Sequence, residues 1–586
     1  MRYLRMLSNS LIAAALSAAY LGILVLQLNP SVPLRPNDLG WLLRTLALAY
    51  GPNLVAFFYA LIVLRQLLAS EVVSPGWLSF SMLSWLCTLV AAAAAWLMWM
   101  NMRTFHAVLE ADTGRRMAAG AESLTVCALV FLALALVPYS FGRRARRVGA
   151  TFFAMTLVAS LGLPLWARGP GVPQTPGARA IGVGVGLLTP RPTQRVAMIL
   201  IDGGSLDYVS AAAAEGRLPN FGKILDTGAA MHLATLRPTQ PAPVWAAVAT
   251  GKLPTKNGVR SAARYVVREG LEPIEMLPDF CFSHALVRLG FLREHPHTSA
   301  TLRARPVWQI LSDLGLPVGV VGWPLTHPAQ PVRGYLVSEQ FHRSGVGSIE
   351  AEDTPVIYPP NLFQAARAAA DAASPAPAAT PAAARITLQD GQSLSDREAI
   401  RVDRVYEQVA ALLEGRSPSK FSAVRLRGVD AIGHDFLRYA MPRAFGDVSD
   451  DERRRYGNVL VGAYGIVDAM IGRAMAVLAP GDLLLVVSGF GMEPLGPGKR
   501  VLERMLGNSQ LTGSHERAPD GFLLAYGTAV EPGRRPRASI LDVVPTVLYF
   551  LDLPVARDMD GHARTDIFNK TLTGDRPITF IPSYDR

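Results

Sequence analysis

Residues 195–204 read RVAMILIDGG, and this stretch decides the fold of the second part of the chain. The run Val196–Ile201 has the length and the β-branched composition of a buried strand, and it ends on Asp202. Similar apolar runs follow at 318–321, 423–426, 483–487 and 522–525, and helical patterns between the runs include 219–228, 403–413 and 456–478. Because strands alternate with helices, we predict an α/β domain with a mostly parallel sheet and helices on both faces.

Residues 1–167 have a different composition. The chain has 586 residues, 50% of them hydrophobic, and the apolar excess lies in this first part. Its apolar segments approach the roughly 20 residues that cross a bilayer as a helix; they are 7–28, 41–64, 77–100, 122–139 and 148–166. We therefore predict an all-α bundle of about five transmembrane helices. For the first segment, a cleaved signal peptide is the alternative.

The basic residues predict how these helices are oriented. Arg2 and Arg5 precede the first span, Arg65 follows the second, and the arginine-rich run 143–147 lies between the fourth and the fifth. Cytoplasmic loops are enriched in Lys and Arg, so these groups are expected in the cytoplasm. The chain beyond the fifth span is then expected outside the cytoplasm, in an integral protein of the bacterial inner membrane.

The remaining boundaries follow from composition. Residues 168–194 are rich in Pro and Gly and predict a linker, which leaves 195–586 as the second domain. Insertions are expected near 265–298 and 340–400. The second of these contains an Ala/Pro-rich tract at 365–385, for which we predict a mobile surface loop.

The charge distribution argues against nucleic-acid binding, and the cysteine content argues against disulfides and a cysteine metal site. The formal net charge of +11 would suit nucleic acid, but several of these charges belong to the loops between spans. The second domain has no arginine-rich stretch interleaved with aromatic residues, so we expect no nucleic-acid partner. Cys87, Cys127 and Cys281 offer neither a disulfide framework nor the spacing of a metal site.

Side chains that can bind a metal lie near the ends of predicted strands. Asp202 ends the first strand, Asp430 and His434 follow a later strand, and His515 precedes the last one. Carboxylate and neutral imidazole are ligands that Zn²⁺ prefers, and three protein ligands leave the fourth position open, as in catalytic zinc sites. The residues alone leave other roles open, because an Asp at a strand end often caps a helix and a lone His is often structural.

The order of the motifs resembles the type I phosphodiesterase/nucleotide pyrophosphatase branch of the alkaline phosphatase superfamily. The matching segments are RVAMILIDGG (195–204), LPNFGKILDTGA (218–229), PVWAAVATGKLPTKNGV (243–259), VGVVGWPLTHPAQPVRGYLVSE (318–339), LRGVDAIGHDFLRY (426–439), VVSGFGM (486–492), GSHERAPDG (513–521) and ILDVVPTVLYFLDLPVARDMDG (540–561). The resemblance covers about 195–568 and implies an alkaline-phosphatase-like fold. A multi-span region followed by such a domain is similar to envelope transferases that modify lipids.

The resemblance also implies a metal site. Two zinc ions lie close together in that family, and one is held by an Asp and a His of an Asp-Xaa-Xaa-Gly-His motif and by a final His. These ligands match Asp430, His434 and His515, so the resemblance implies a complete site for one ion.

The second ion of the family pattern has lost most of its ligands here. Its first Asp matches Asp202, but its Asp-His pair falls on Gly489 and Phe490, and the nucleophilic Thr or Ser falls on Pro241. Glycine, phenylalanine and proline offer no side-chain ligand and no hydroxyl. We therefore expect one zinc ion and no classical nucleophile.

Other hydroxyl groups lie close by in the sequence. Thr239 lies two residues before Pro241 and would be the nucleophile if the loop bulges. Ser205 and Ser488 are further hydroxyls near the motifs.

Two functional hypotheses follow. In the first, the protein is a membrane-anchored, metal-dependent phosphodiesterase or nucleotide pyrophosphatase-like hydrolase. The reaction would be slow because the second ion is missing, and Asp202 is a possible general base. Its substrate would be a phosphodiester such as a nucleotide or a lipid headgroup. In the alternative, the domain is a non-catalytic pseudoenzyme that binds a phosphorylated ligand or an envelope partner. Membrane lipid surrounds the helices in both cases.

Overall fold

The computed structural model describes residues 2–69, 80–136, 143–170, 194–344, 354–373, 386–388, 391–505, 507–574 and 576–585. The helices in these residues are α1 (Arg2–Leu28), α2 (Pro36–Ala69), α3 (Phe80–Thr104), α4 (Ala111–Leu136), α5 (Arg143–Arg168), α6 (Leu206–Ala214), α7 (Pro219–Thr227), α8 (Pro241–Thr250), α9 (Pro254–Asn257), α10 (Ala285–Arg288), α11 (Val307–Asp313), α12 (Phe363–Ala373), α13 (Glu398–Arg416), α14 (Gly428–Ala440), α15 (Pro442–Phe445), α16 (Asp450–Tyr456), α17 (Val459–Ala476), α18 (Pro497–Met505), α19 (Val543–Phe550) and α20 (Lys570–Gly574).

The strands are β1 (Val196–Ile201), β2 (Ala229–Ala234), β3 (Ala263–Val266), β4 (Arg293–Pro296), β5 (Val318–Val321), β6 (Gly334–Val337), β7 (Ile357–Tyr358), β8 (Phe421–Leu426), β9 (Leu483–Phe490), β10 (Glu493–Pro494), β11 (Gly513–Ser514), β12 (Asp520–Tyr526), β13 (Gly533–Arg534), β14 (Ala538–Ser539), β15 (Val555–Ala556) and β16 (Phe580–Ile581). The chain forms two compact units. The first unit is Met1–Pro176 with Ala263–Pro296, and the second is Gly177–Ala262 with His297–Arg586.

The first unit contains the long apolar helices α1 to α5. Six helical stretches in the described residues are long and apolar enough to cross a membrane, and five of them lie at the predicted spans. Residues 77–79 and 137–139 of those predictions, and 171–193 of the predicted linker, lie outside the described part of the chain. Side-chain hydrogen bonds join α1 to α5: Tyr20 donates to Ser160 over 2.7 Å, and Gln27 donates to the carbonyl of Pro164 over 2.9 Å.

The sixth stretch, Asp450–Ala476, is a core element of the second unit. It is two helices, α16 and α17, and α17 buries apolar side chains against the sheet and α14. Asp468 of α17 accepts hydrogen bonds from the backbone N–H of Phe221, at 2.8 Å, and from the side chain of Asn220, at 2.8 Å. Its hydropathy therefore reflects burial in protein.

An insertion in the second domain was predicted near 265–298, and the structure assigns residues 263–296 to the first unit. β3 and β4 pair antiparallel at the base of this segment, from Ala263 with Pro296 to Val266 with Arg293. The segment buries Tyr265 and five aliphatic side chains among residues from the end of α1 and the start of α2.

Two asparagines at helix ends hold this segment. Asn29 accepts hydrogen bonds from the backbone N–H of Glu275, at 2.9 Å, and of Met276, at 2.8 Å, and donates to the carbonyl of Met276 over 2.8 Å. Asn101 accepts from the N–H of Asp279 at 2.7 Å and donates to its carbonyl over 3.2 Å. The segment is thus tied to the end of the bundle where α1 and α3 end.

A mixed sheet forms the centre of the second unit. Its strand order is β13-β2-β12-β9-β1-β8-β5-β6-β7, with β14 also paired to β2. The pairs from β9 through β6 are parallel, and β12 and β7 run antiparallel to their neighbours. Alternate residues of β1 enter separate hydrophobic cores: Met198 and Leu200 face one core, and Ile199 and Ile201 face the other. Helices cover both faces, so the predicted α/β fold class is confirmed.

Two local predictions were wrong. The strand was predicted at 483–487, but β9 continues to Phe490, because β12 pairs with it: Asp520 is opposite Phe490, and Phe522 is opposite Ser488. The start of the tract at 365–385 was expected to be a loop, but it belongs to α12, whose Ala366, Ala369 and Ala370 are buried. Alanine has the highest helix propensity, and this spacing lines one helix face. Residues 374–385 lie outside the described part.

Replacing Asn29 should loosen the segment 263–296. In Asn29→Leu the buried backbone groups of Glu275 and Met276 lose their partners, at about 1–3 kcal/mol for each unsatisfied group. Hydrogen exchange of the amides at 275–276 should become at least about 10-fold faster. Asn29→Asp keeps the acceptor and should be less affected, and Ser8→Ala, at an exposed site of α1, is the control. Unchanged exchange in Asn29→Leu would contradict this role for Asn29.

Candidate metal centre

The candidate metal centre lies at the carboxyl ends of the central parallel strands. Ile201 of β1 is opposite Leu426 of β8 and Ser488 of β9, so these strands end side by side. Asp202 follows β1 directly, and its N–H donates to the carbonyl of Leu426 over 3.0 Å. Gly203 turns the chain with φ of +69°, and a Cβ there would lie 2.8 Å from Oδ1 of Asp430. This close approach brings the two aspartates together.

The helix α14 carries two of the candidate ligands. Asp430 lies in its first turn, and His434 lies one turn later on the same face. The buried carboxylate of Asp403 accepts hydrogen bonds from the N–H of Arg427, at 2.7 Å, and of Gly428, at 2.8 Å. Burial raises the pKa of Asp403 to about 7, although these two hydrogen bonds oppose the shift. Asp403 thus anchors the start of the helix that presents the ligands.

Asp430, His434 and His515 form a cluster that could hold a metal ion. One ligand atom from each lies within 4.8 Å of the others, and the rings of the two histidines are 5.3 Å apart. His434 Nδ1 donates to the carbonyl of Gly513 over 2.9 Å, and His515 Nδ1 donates to that of Thr239 over 3.3 Å. A histidine that donates through Nδ1 can bind a metal through Nε2, which is the usual arrangement in metal sites. Nε2 of His434 lies 3.5 Å from Oδ2 of Asp430.

The cluster fits a divalent metal in chemistry and in accessibility. Oδ1 of Asp430 is buried and accepts no hydrogen bond within the described part of the chain. The side chains of Asp430 and His434 are 18% and 28% exposed, so an ion and a ligand can reach them. One carboxylate and two imidazoles are a catalytic zinc donor set with an open fourth position. The predicted ligands Asp430, His434 and His515 therefore lie together.

Charge within the cluster favours an ionised carboxylate. Desolvation opposes this, but the hydrogen bond to His434 and the charges of His434 and His515 outweigh it and lower the pKa of Asp430. The pKa of His434 is raised, because the hydrogen bond and the charge of Asp430 outweigh its desolvation. A charged carboxylate is the form that binds a cation.

Asp202, the fourth predicted ligand, is not part of this cluster. Its Oδ1 accepts hydrogen bonds from Nε1 of Trp245, at 2.8 Å, and from Nε of Arg425, at 3.0 Å. Its Oδ2 accepts from Nη2 of Arg425. Both oxygens are engaged by protein donors, as suits a structural carboxylate.

The candidate nucleophiles are held in structural contacts. Pro241 is the first residue of α8, where its ring needs no hydrogen-bond donor. Thr239 is buried, and its hydroxyl donates to the carbonyl of Leu236 over 2.8 Å. The hydroxyl of Ser488 accepts from the N–H of Gly204 at 3.0 Å and donates to a neighbouring carbonyl, and the hydroxyl of Ser205 caps α6.

The positions of the family's Asp-His pair are filled by apolar packing. A Cβ at Gly489 would lie 2.4 Å from Cγ1 of Val244, so a side chain there would require a shift of α8. Phe490 is fully buried, and its ring centre lies 5.1 Å from that of His515. Phe490 therefore supports the ring of a candidate ligand.

Sequence reasoning missed three residues that shape the centre: Arg425, Trp245 and Asp403. Arg425 had a detectable signal, because a charged residue inside an apolar strand run must be paired if the strand is buried. Asp403 had none, since a single Asp in a helix of mixed polarity is ordinary.

Comparison with known proteins gives one family and several distant structures. The family model for type I phosphodiesterase / nucleotide pyrophosphatase matches residues 196–541. A search of curated proteins finds no match. An inactive variant of murine ectonucleotide pyrophosphatase / phosphodiesterase 5 in complex with AMP is 13% identical, with a TM-score of 0.38, over 64% of this chain and 100% of that chain.

Two further structures are similarly distant. Phosphonate monoester hydrolase from Silicibacter pomeroyi is 16% identical, with a TM-score of 0.36, over 66% of this chain and 77% of that chain. A mutant of the alkaline phosphatase PafA is 12% identical, with a TM-score of 0.40, over 65% of this chain and 99% of that chain. Identities this low say nothing about substrate. The family match, by contrast, contains every residue of the candidate centre.

Zinc titration should distinguish residues that bind the ion from residues that do not. We expect about one zinc ion per chain, because the cluster supplies one set of ligands. His434→Ala should weaken zinc binding by more than about 100-fold, which is more than the usual loss when a hydrogen-bond partner of a ligand is removed. His562→Ala, at an exposed histidine, is the matched control and should bind like the wild type. Isothermal titration calorimetry of the full chain measures both. Equal affinity in the two variants would exclude His434 as a ligand.

Asp403 should act through the position of α14. In Asp403→Ala the N–H groups of Arg427 and Gly428 lose their acceptor, so Asp430 and His434 are held less firmly. Zinc affinity should fall by about 10- to 100-fold, the range typical of outer-shell partners, while the stoichiometry stays the same. The same titration measures this, with Asp396→Ala, before α13, as the control. A change in stoichiometry would point to a wider structural role.

Proposed function

The chain belongs to the type I phosphodiesterase / nucleotide pyrophosphatase family, and from this premise we propose that its second unit binds one zinc ion and hydrolyses a phosphodiester slowly. The ligands are Asp430, His434 and His515. The substrate class is a phosphodiester such as a nucleotide or a lipid headgroup.

One observation carries this proposal: the complete ligand cluster contains an ionised, unshared carboxylate oxygen. Oδ1 of Asp430 is buried and accepts no hydrogen bond in the described residues, and such an atom costs free energy unless a cation or a donor approaches it. The two imidazoles converge on the same point with their Nδ1 atoms already engaged. This arrangement supports a role for the three residues as metal ligands.

The chemistry follows from what the site has and lacks. A zinc ion, when bound, lowers the pKa of a water molecule to about 7 and attracts phosphoryl oxygen. Pro241 offers no hydroxyl, and Thr239 directs its hydroxyl to a backbone carbonyl, so water is the nucleophile. Asp202 is neutralised by Arg425 and does not serve as the general base. Both departures from the family pattern slow the reaction.

The location we propose is the bacterial inner membrane, with the second unit outside the cytoplasm. The apolar helices α1 to α5 support membrane anchoring, and the arginines at 2, 5, 65 and 143–147 support the orientation. A headgroup of the surrounding lipid would then be within the reach of an anchored domain.

Non-catalytic binding of a phosphorylated ligand or an envelope partner is the second candidate. It is favoured by the packing at Gly489, where Val244 fills the space of a missing ligand, and by the absence of a hydroxyl at Pro241. A binding domain needs only the cluster that holds the ion. Activity measurements decide between the two.

Hydrolysis of bis(p-nitrophenyl) phosphate by the full chain in detergent should be slow, with a kcat below about 1 s⁻¹, at the lower end for enzymes. Asp430→Ala should abolish it, whereas His562→Ala should not change it. Removal of zinc by a chelator should have the same effect as Asp430→Ala. Rapid turnover with phosphate trapped on Thr239 would contradict the proposal, and zinc-dependent phosphate binding without any turnover would establish the second candidate.

A further inference from the structure

Asp202 lies where the family pattern requires a ligand of the second metal ion, yet it is bound by an arginine. Arg425 reaches across from β8 and donates to both carboxylate oxygens, through Nε to Oδ1 at 3.0 Å and through Nη2 to Oδ2. This two-point contact is the strongest geometry that an arginine and a carboxylate form. Only 10% of the arginine side chain and 4% of the aspartate side chain are exposed. The pair is therefore a fixed part of the interior.

Among the described residues, the other positions that would hold the second ion in the family pattern supply no ligand atom. Nε1 of Trp245, at 2.8 Å, takes a further position on Oδ1. The space for a side chain at Gly489 is occupied by Val244, and the ring at Phe490 packs on His515. A divalent ion at this point would meet one carboxylate that is already neutralised. With Arg425 in place, the residues do not fit a second ion.

Arg425 also lies close to the candidate metal cluster. Asp430, a ligand of that cluster, is packed against Gly203, the residue that follows Asp202. One positive charge thus faces both aspartates at the end of β1 and the start of α14. In the family pattern, the second metal ion, which is exchangeable, provides the positive charge at this place.

We propose that the guanidinium of Arg425 is a built-in cation that replaces the second metal ion at Asp202. A centre with two exchangeable ions has become a centre with one exchangeable ion and one fixed charge. The replacement gives Asp202 a role although the other positions of that ion carry no ligand: a buried arginine needs a partner. The inference concerns Asp202 and holds whether or not the domain hydrolyses a substrate.

Charge, rather than packing alone, is what the replacement must supply. Arg425→Lys keeps the charge and should keep a melting temperature closer to the wild type than Arg425→Met, which keeps only the apolar volume. Asp202→Asn combined with Arg425→Met removes both charges and should recover much of the loss, since a buried pair is most costly when one partner is left alone.

Zinc binding by the full chain tests the proposal directly. We expect about one ion for the wild type and for Arg425→Lys at saturating zinc, and a second, weaker ion for Arg425→Ser, which frees the carboxylate and opens space beside it. Adding Asp202→Asn to Arg425→Ser should return the count to one. Arg427→Ser, two residues along the chain and without a contact to Asp202 in the described structure, is the matched control and should stay at one.

The outcomes are distinct from those that test hydrolysis. Two ions in the wild type, or one ion in folded Arg425→Ser at saturating zinc, would overturn the replacement. If Arg425→Ser does not fold, zinc should raise the melting temperature of Arg425→Met more than that of the wild type; an equal rise would also overturn it. Loss of turnover alone bears on the proposed function and leaves this inference in place.

Discussion

The parallel register of β8, β1 and β9 is the constraint on which the centre depends. Because Ile201 is opposite both Leu426 and Ser488, three strands that are far apart in the chain end at one edge. Asp202, the start of α14 and the end of β9 therefore meet there. A slip of one residue would exchange the two buried faces of such a strand, so the register is strongly specified.

The two aspartates at this edge of the sheet have different surroundings. The cluster of Asp430, His434 and His515 has the chemistry to bind a cation from solution, and its buried carboxylate oxygen has no protein donor among the described residues. Asp202 has a permanent donor in Arg425. The two aspartates therefore differ in whether a protein donor already occupies their oxygens.

The first unit shows that the long apolar helices do more than provide hydrophobic length. In the sequence, residues 263–296 lie between two stretches of the second unit. Their ends pair as β3 and β4, and their backbone binds the side chains of Asn29 and Asn101 at helix ends. The asparagines pair with backbone groups of Glu275, Met276 and Asp279. The segment is therefore specified by polar contacts at the end of the bundle as well as by apolar burial.

The sequence by itself determined the elements whose signal is local. The five apolar helices, the strand runs, the α/β class and the set Asp430, His434 and His515 could all be read from periodicity, motif spacing and resemblance. Only the tertiary structure decided that β9 continues through Gly489 and Phe490, because its partner is the distant strand β12. It also decided that Arg425 pairs with Asp202, at a separation of 223 residues, and that 263–296 joins the helices. Hydrophobic pattern reports which face of an element is buried, whereas the partner of a buried charge or a strand edge is set by which distant residues the fold brings beside it.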